Sequence, residues 1–73
     1  MIRFLLKEII SERSFKEGRR ITLEEVSKET GIHRSTLSKI ANQKGYNTTT
    51  DNLDALCRYF QCELKDIAVY LED

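Results

Sequence analysis

The sequence predicts an all-α fold, a compact set of five short helices with short extended ends, forming one domain over residues 1–73. Three observations lead there. Apolar residues recur at three- and four-residue spacings rather than in alternation. Only Gly18, Gly31 and Gly45 punctuate the chain, and it has no proline. Hydroxyl side chains stand where helices would begin, as in Thr22-Leu-Glu-Glu25 and Thr48-Thr-Thr-Asp51.

Each element follows from its own pattern. Leu6, Ile9 and Ile10 give the inner stripe of a first helix ending near Ser14, followed by a charged loop over Phe15–Arg20. Thr22 and Glu25 match a capping box, in which the hydroxyl accepts an early amide and Glu25 reaches back to the cap. Leu23, Val26 and Thr30 form the inner face of this second helix up to Gly31. A third helix runs from about Arg34 to Asn42, with Leu37 and Ile40 inward. Residues 42–47 read as loop, and Thr48–Asp51 cap a fourth helix with Leu53, Leu56, Cys57 and Phe60 on its apolar side. A short fifth helix spans about Leu64–Ala68, capped by Glu63 or Cys62. Ile2–Phe4 and Val69–Leu71 are candidates for short extended segments that pair with each other.

Size excludes several functions. A chain of 73 residues buries only about 60% of its unfolded surface. An enclosed substrate pocket of about 300 Å³ would consume most of so thin a core, so a small-molecule enzyme is not expected. Cys57 and Cys62 are too few for a disulfide framework. The opening Phe4-Leu5-Leu6 run is too short for a signal peptide, and Ile67–Leu71 is too short to cross a membrane. A cytoplasmic domain with no membrane partner is the expectation.

Residues 23–40 carry the most information. Two helices crossing at about 90–120° through a short turn need a small residue where the backbones approach, here Ser27. They need a glycine that turns with positive φ, here Gly31. Ile32 then plugs the corner, and Leu37 and Ile40 fasten the second rod to the first.

This ordered set, Leu23-Glu-Glu-Val-Ser-Lys-Glu-Thr-Gly-Ile32 followed by His33-Arg-Ser-Thr-Leu-Ser-Lys-Ile-Ala-Asn42, resembles the helix-turn-helix of the phage repressor and Cro-like (XRE, lambda-repressor-like) family. Leu53–Phe60 and Leu64–Ile67 fit the flanking helices, so the likeness covers nearly the whole chain. Ser27 stands where that family most often has Ala, His33 where a Ser or Thr cap is usual, and Gln43 where Gly is common. The connection between the first two helices is longer than usual. None of these departures breaks the corner.

The resemblance implies a sequence-specific, double-stranded DNA-binding regulator of transcription. Its third helix would enter the major groove, and the protein would bind repeated half-sites as a homodimer. It places Arg34, Ser35, Ser38 and Lys39 as base-reading residues, with Arg34 suited to a bidentate guanine contact. Thr22, His33, Asn42, Gln43, Lys44, Thr48, Thr49, Thr50, Arg19 and Arg20 are the corresponding phosphate-binding candidates. Charge supports the same surface independently. Residues 30–50 hold Arg34, Lys39 and Lys44 and no Asp or Glu, for +3, whereas residues 51–73 sum to −4. A neutral total thus hides a basic face, which phosphate binding needs.

Plainer readings stand beside these. The outward face of the third helix could be ordinary solvated surface, and Arg19 and Arg20 ordinary loop charges. Thr48–Thr50 cap a helix whether or not they touch phosphate. Tyr46 is expected to pack on the third helix, and His33 to face solvent at a helix start. Cys57 and Cys62 read as small buried hydrophobes, their spacing being wrong for zinc. No cofactor, metal or catalytic constellation is expected. The competing function is an antitoxin-like or adaptor module that keeps the fold but has no specific DNA binding.

Overall fold

A computed structural model describes residues 1–72. Four α-helices are present: α1 (Leu6–Glu17), α2 (Leu23–Thr30), α3 (Arg34–Asn42) and α4 (Thr50–Phe60). Two strands, β1 (Ile2–Phe4) and β2 (Ala68–Tyr70), join the ends of the chain. The apolar stripes expected from spacing do turn inward. Leu6, Ile9, Val26, Leu37, Ile40, Leu56 and Phe60 form one core, which Ile21, Ile32 and Ile67 complete from the connections. No polar or charged residue is buried among the described residues.

The expected five helices are four among the described residues. The segment assigned to the fifth is a single 3₁₀ turn, Leu64–Asp66, in which the Glu63 N–H donates to Asp66 Oδ2 at 3.0 Å. The physical reason lies in what bounds it. Gln61 ends α4 with φ 52, Ile67 must sit fully buried, and the chain enters β2 at Ala68. The turn is closed by two i→i+3 bonds, Asp66 N–H to Glu63 O at 3.0 Å and Ile67 N–H to Leu64 O at 2.9 Å, and passes directly into β2.

α1 also differs from expectation, continuing past Ser14 to Glu17. Gly18, at φ 66, is the first residue that adopts the left-handed conformation readily. There the Gly18 N–H bonds to Phe15 O at 3.3 Å and the Arg19 N–H to Ser14 O at 3.2 Å. The charged loop therefore shrinks to Gly18–Thr22. Phe15, on this added turn, is 87% exposed and makes no use of the core.

The ends pair as expected, although β2 begins one residue earlier than the Val69–Leu71 reading. The strands are antiparallel, with Ile2 opposite Tyr70, Arg3 opposite Val69 and Phe4 opposite Ala68. Leu71 N–H donates to Met1 O at 2.7 Å and Leu5 N–H to Ile67 O at 2.6 Å, closing the ladder at both ends. Antiparallel alternation then turns the backbone groups of Ala68 and Tyr70 away from β1, toward an open edge.

Candidate nucleic-acid interface

The corner between α2 and α3 is fixed by short polar contacts over an apolar plug. Thr22 Oγ1 accepts from Glu25 N at 3.1 Å and starts α2. At the other end Gly31, at φ 79, ends it with its N–H on Ser27 O at 2.9 Å. A Cβ at Gly31 would meet nothing within 4 Å, so glycine is required there for its backbone angle and not for space. The Ser27 hydroxyl donates across the turn to Ile32 O at 2.6 Å. Thr30 Oγ1 donates to Val26 O at 2.7 Å and accepts from Ile32 N at 3.2 Å. Ile32 is buried beneath these bonds.

α3 begins at a histidine cap. His33 Nδ1 accepts from Ser35 N at 3.2 Å and lies 2.9 Å from Ser35 Oγ. Imidazole thus fills the place where a hydroxyl cap is usual, and the helix starts at Arg34. Leu37 and Ile40 anchor the inner face, while Arg34, Ser35 and Lys39 are exposed and Ser38 is half-buried. Arg34 Nε sits 3.7 Å from Glu24 Oε1, with the two side chains 61% and 78% exposed, a contact that water screens and a stronger anion would displace. Lys39 has no ion pair among the described residues.

Not every expected contact residue is equally available. The guanidinium of Arg19 takes both carboxylate oxygens of Glu25 at 2.8 Å and also meets Glu17 at 3.1 Å. Hydrogen bonding to Glu25 raises the Arg19 pKa further, and the same contact lowers that of Glu25. Tyr59 donates to Glu25 as well, at 3.3 Å, and burial followed by this carboxylate pushes its phenol upward. The expected capping box is therefore half formed. Thr22 does its part, but the fork of Arg19 draws the Glu25 carboxylate away from the cap.

Arg20 is placed differently. It lines an open groove of about 510 Å³ with Thr22, Arg34 and Asn42, bounded also by Lys7 of α1. Lys7 is the residue that sequence reasoning missed. Its signal was present, because it stands one helical turn before the inward-facing Ile10 and so shares that side of α1. Lys7 and Arg20 have no ion pair among the described residues.

A second groove, of about 350 Å³, runs from the end of α3 to the strands and is lined by Asn42, Gln43, Lys44 and Arg3. Asn42 borders both grooves and donates its amide to Ser38 O at 3.1 Å. Thr49 Oγ1 caps α4 by accepting from Asn52 N at 3.1 Å, and Thr48 Oγ1 accepts from Asn52 Nδ2 at 3.0 Å. Thr50 is the first residue of α4. Tyr46 packs against the core, half-buried.

The cysteines are free and half-buried, and burial pushes the Cys62 thiol up. Among the described residues no group of three His, Cys, Asp or Glu side chains could hold a metal ion. None of the described helices is long and apolar enough to cross a membrane.

Comparison with known proteins agrees with this geometry at the level of family. No curated protein matches the chain. The family model for the Cro/C1-type HTH DNA-binding domain matches residues 6–73, which takes in all four helices, the corner and the exposed face of α3. The chain belongs to the Cro/C1-type helix-turn-helix DNA-binding domain family.

Proposed function

We propose that this protein is a sequence-specific regulator of transcription whose α3 reads the major groove of double-stranded DNA. The observation that carries the reading is the exposed face of Arg34, Ser35 and Lys39 on a helix whose other side is held by Leu37 and Ile40. That helix lies in a stretch, residues 30–50, with three cations and no carboxylate. Arg34 matches guanine O6 and N7, and Ser35, Ser38 and Lys39 complete the reading set. Thr22, Asn42, Arg20 and Lys7 border one groove, together with the carboxylate of Glu24, and are assigned to the phosphate backbone. Gln43 and Lys44 hold the duplex beyond the end of α3, with His33, Thr48 and Thr49 as further backbone contacts. Arg19 serves α2 and the loop before it, and reaches phosphate only by releasing Glu25.

Homodimer formation belongs to the same reading. The open edge of β2 supports it. About Val69 as centre, a second copy running antiparallel would place Tyr70 beside Ala68 of its partner, large against small. Half-sites would then lie about 34–36 Å apart if separated by one turn of DNA.

Selection from random duplex DNA, followed by sequencing, tests the proposal. A recovered motif with dyad symmetry supports it. Recovery of unselected sequence, with affinity independent of salt, would overturn it in favour of a protein-interaction module.

A further inference from the structure

The end of α4 brings the two cysteines together. Gln61 follows the helix at φ 52 and is the one non-glycine residue in the left-handed region among the described residues. The reversal folds the chain back, and the Cys62 N–H donates to Cys57 O at 3.1 Å. Helices that end this way commonly bring the side chains of the two bonded positions into contact on the apolar side. Cys57 and Cys62 do both pack against the core, half-buried. Their separation is limited as well. A bond of 3.1 Å, with the covalent lengths on either side, holds the two α-carbons within about 7 Å. Disulfides span about 4.4–6.8 Å between α-carbons. Burial pushes the Cys62 thiol up, and the Cys57 thiol beside it adds to the shift through charge and hydrogen bonding. Cys62 also lines an open groove of about 340 Å³ with Leu5, Ile9 and Arg13, so a small reagent reaches it from solvent.

We propose that Cys57 and Cys62 are a modification site, which a soluble disulfide of the glutathione kind converts into an intramolecular disulfide that locks the end of α4 to the turn feeding β2. The reaction is two exchanges. One protein thiolate attacks the reagent RSSR, forming a mixed disulfide and releasing RS⁻. The second protein thiolate attacks the protein sulfur of that mixed disulfide, forming the Cys57–Cys62 bond and releasing the other RS⁻. The protein loses two electrons and two protons, and the reagent gains both as two molecules of RSH. Excess reducing thiol reverses the sequence. Because Cys62 is held mostly as the thiol, the pair answers a sustained excess of oxidant and is no fast catalyst.

The bond acts at a joint of the fold. Cys62 stands between α4 and the 3₁₀ turn Leu64–Asp66, which passes into β2 through the fully buried Ile67. Closing the short loop removes freedom from the unfolded chain while the folded chain already holds the two residues together, so the folded form gains. Neither cysteine lines the two grooves beside α3, and the modification is therefore independent of what α3 reads.

The test uses the full chain, reduced and folded, incubated with oxidised glutathione. Intact mass should fall by two hydrogens. Trypsin cleaves after Arg58, between the cysteines, so the bond should appear as two peptides held together until reduced. The melting temperature should rise by about 5–10 °C and return with dithiothreitol. Cys57→Ser and Cys62→Ser should each show no rise under the same oxidant. The same incubation in denaturing urea supplies the reference, and closure there should need a glutathione ratio about tenfold more oxidising than in the folded chain. Thiols that stay reduced, a glutathione adduct that never closes, or a bond between two chains would each overturn the proposal. So would closure that is equally favourable in the folded and the unfolded chain, or that lowers the melting temperature.

Discussion

Ser27 and Ile32 are joined across the helix-turn-helix corner by a 2.6 Å hydrogen bond, hydroxyl to carbonyl. The bond ties the last turn of α2 to the chain entering α3, where an alanine could only fill space. Ser27→Ala should destabilise modestly, by about 0.5 kcal/mol, because losing about 1 kcal/mol of hydrogen bonding is partly offset by the better helix propensity of Ala. Gly31→Ala should cost more, about 1–2 kcal/mol, since a Cβ is disfavoured at positive φ. Chemical denaturation of both variants gives the ranking, and a reversed order would contradict this account of the corner.

The Glu25 carboxylate titrates below its ordinary value because Arg19 hydrogen-bonds to its charged form. Its stabilising contribution is accordingly complete above the ordinary carboxylate range, near 4.3, and is lost as pH falls through the lower folded-state value. Thermal melts of the wild type should show this loss on acidification. Glu25→Gln should melt lower at neutral pH and show a shallower decline. Parallel curves for the two proteins would mean that the Arg19 contact does not survive in solution.

Arg19 and Arg20 are neighbours with opposite availability. Substituting Arg20, Lys7 or Lys44 by Ala should each flatten the dependence of log affinity on log salt by about one unit, on specific and random duplexes alike. Arg19→Ala should leave that slope nearly unchanged and lower the melting temperature instead. Equal slope changes for Arg19 and Arg20 would show that Glu25 gives up its partner on binding.

Arg34→Ala should behave differently from the phosphate-contact variants. A loss of about 1–3 kcal/mol on the preferred site, with one base position relaxed, is expected from a guanine-reading side chain. Its pairing with Glu24 is too exposed to resist displacement. Equal losses on specific and random DNA would move Arg34 from reading to backbone contact.

Tyr70→Pro separates the dimer from the fold. The Tyr70 N–H faces away from β1, so proline there removes a donor from the open edge and spares the internal ladder. Sedimentation should show a wild type that dimerises with concentration and a variant that stays monomeric with unchanged helix content. A wild type that is monomeric throughout, on DNA as well as free, would remove β2 as a dimer surface.

The helices were legible because their apolar spacing is strong and two of them, α2 and α4, start at hydroxyl caps, Thr22 and Thr49. Leu37 and Ile40 could be placed inward, and Arg34 outward, from periodicity alone. Boundaries that depended on a competing partner were not legible. Ser14 looked like an end, yet a helix continues until a residue accepts the left-handed angle, and here that is Gly18. Glu25 matched a capping pattern, but nothing in local spacing announces that a guanidinium six residues earlier will take its carboxylate. The 3₁₀ turn at Leu64–Asp66 was hidden for a similar reason, since its length is dictated by the strand that follows. Lys7 was overlooked because charge was counted along the chain, whereas the groove gathers it across α1, α2 and α3.

The two-stranded ribbon places the first and last described segments side by side, with Met1 and Leu71 in mutual backbone contact. Neither segment can loosen alone. Peeling Ile2–Phe4 away strips Ala68–Tyr70 of the one strand it pairs with among the described residues, and the reverse holds equally. Wear at one extremity is thereby transmitted to the other, and the stretch that ends beside the second groove inherits the steadiness, or the fraying, of residues almost a full chain length away.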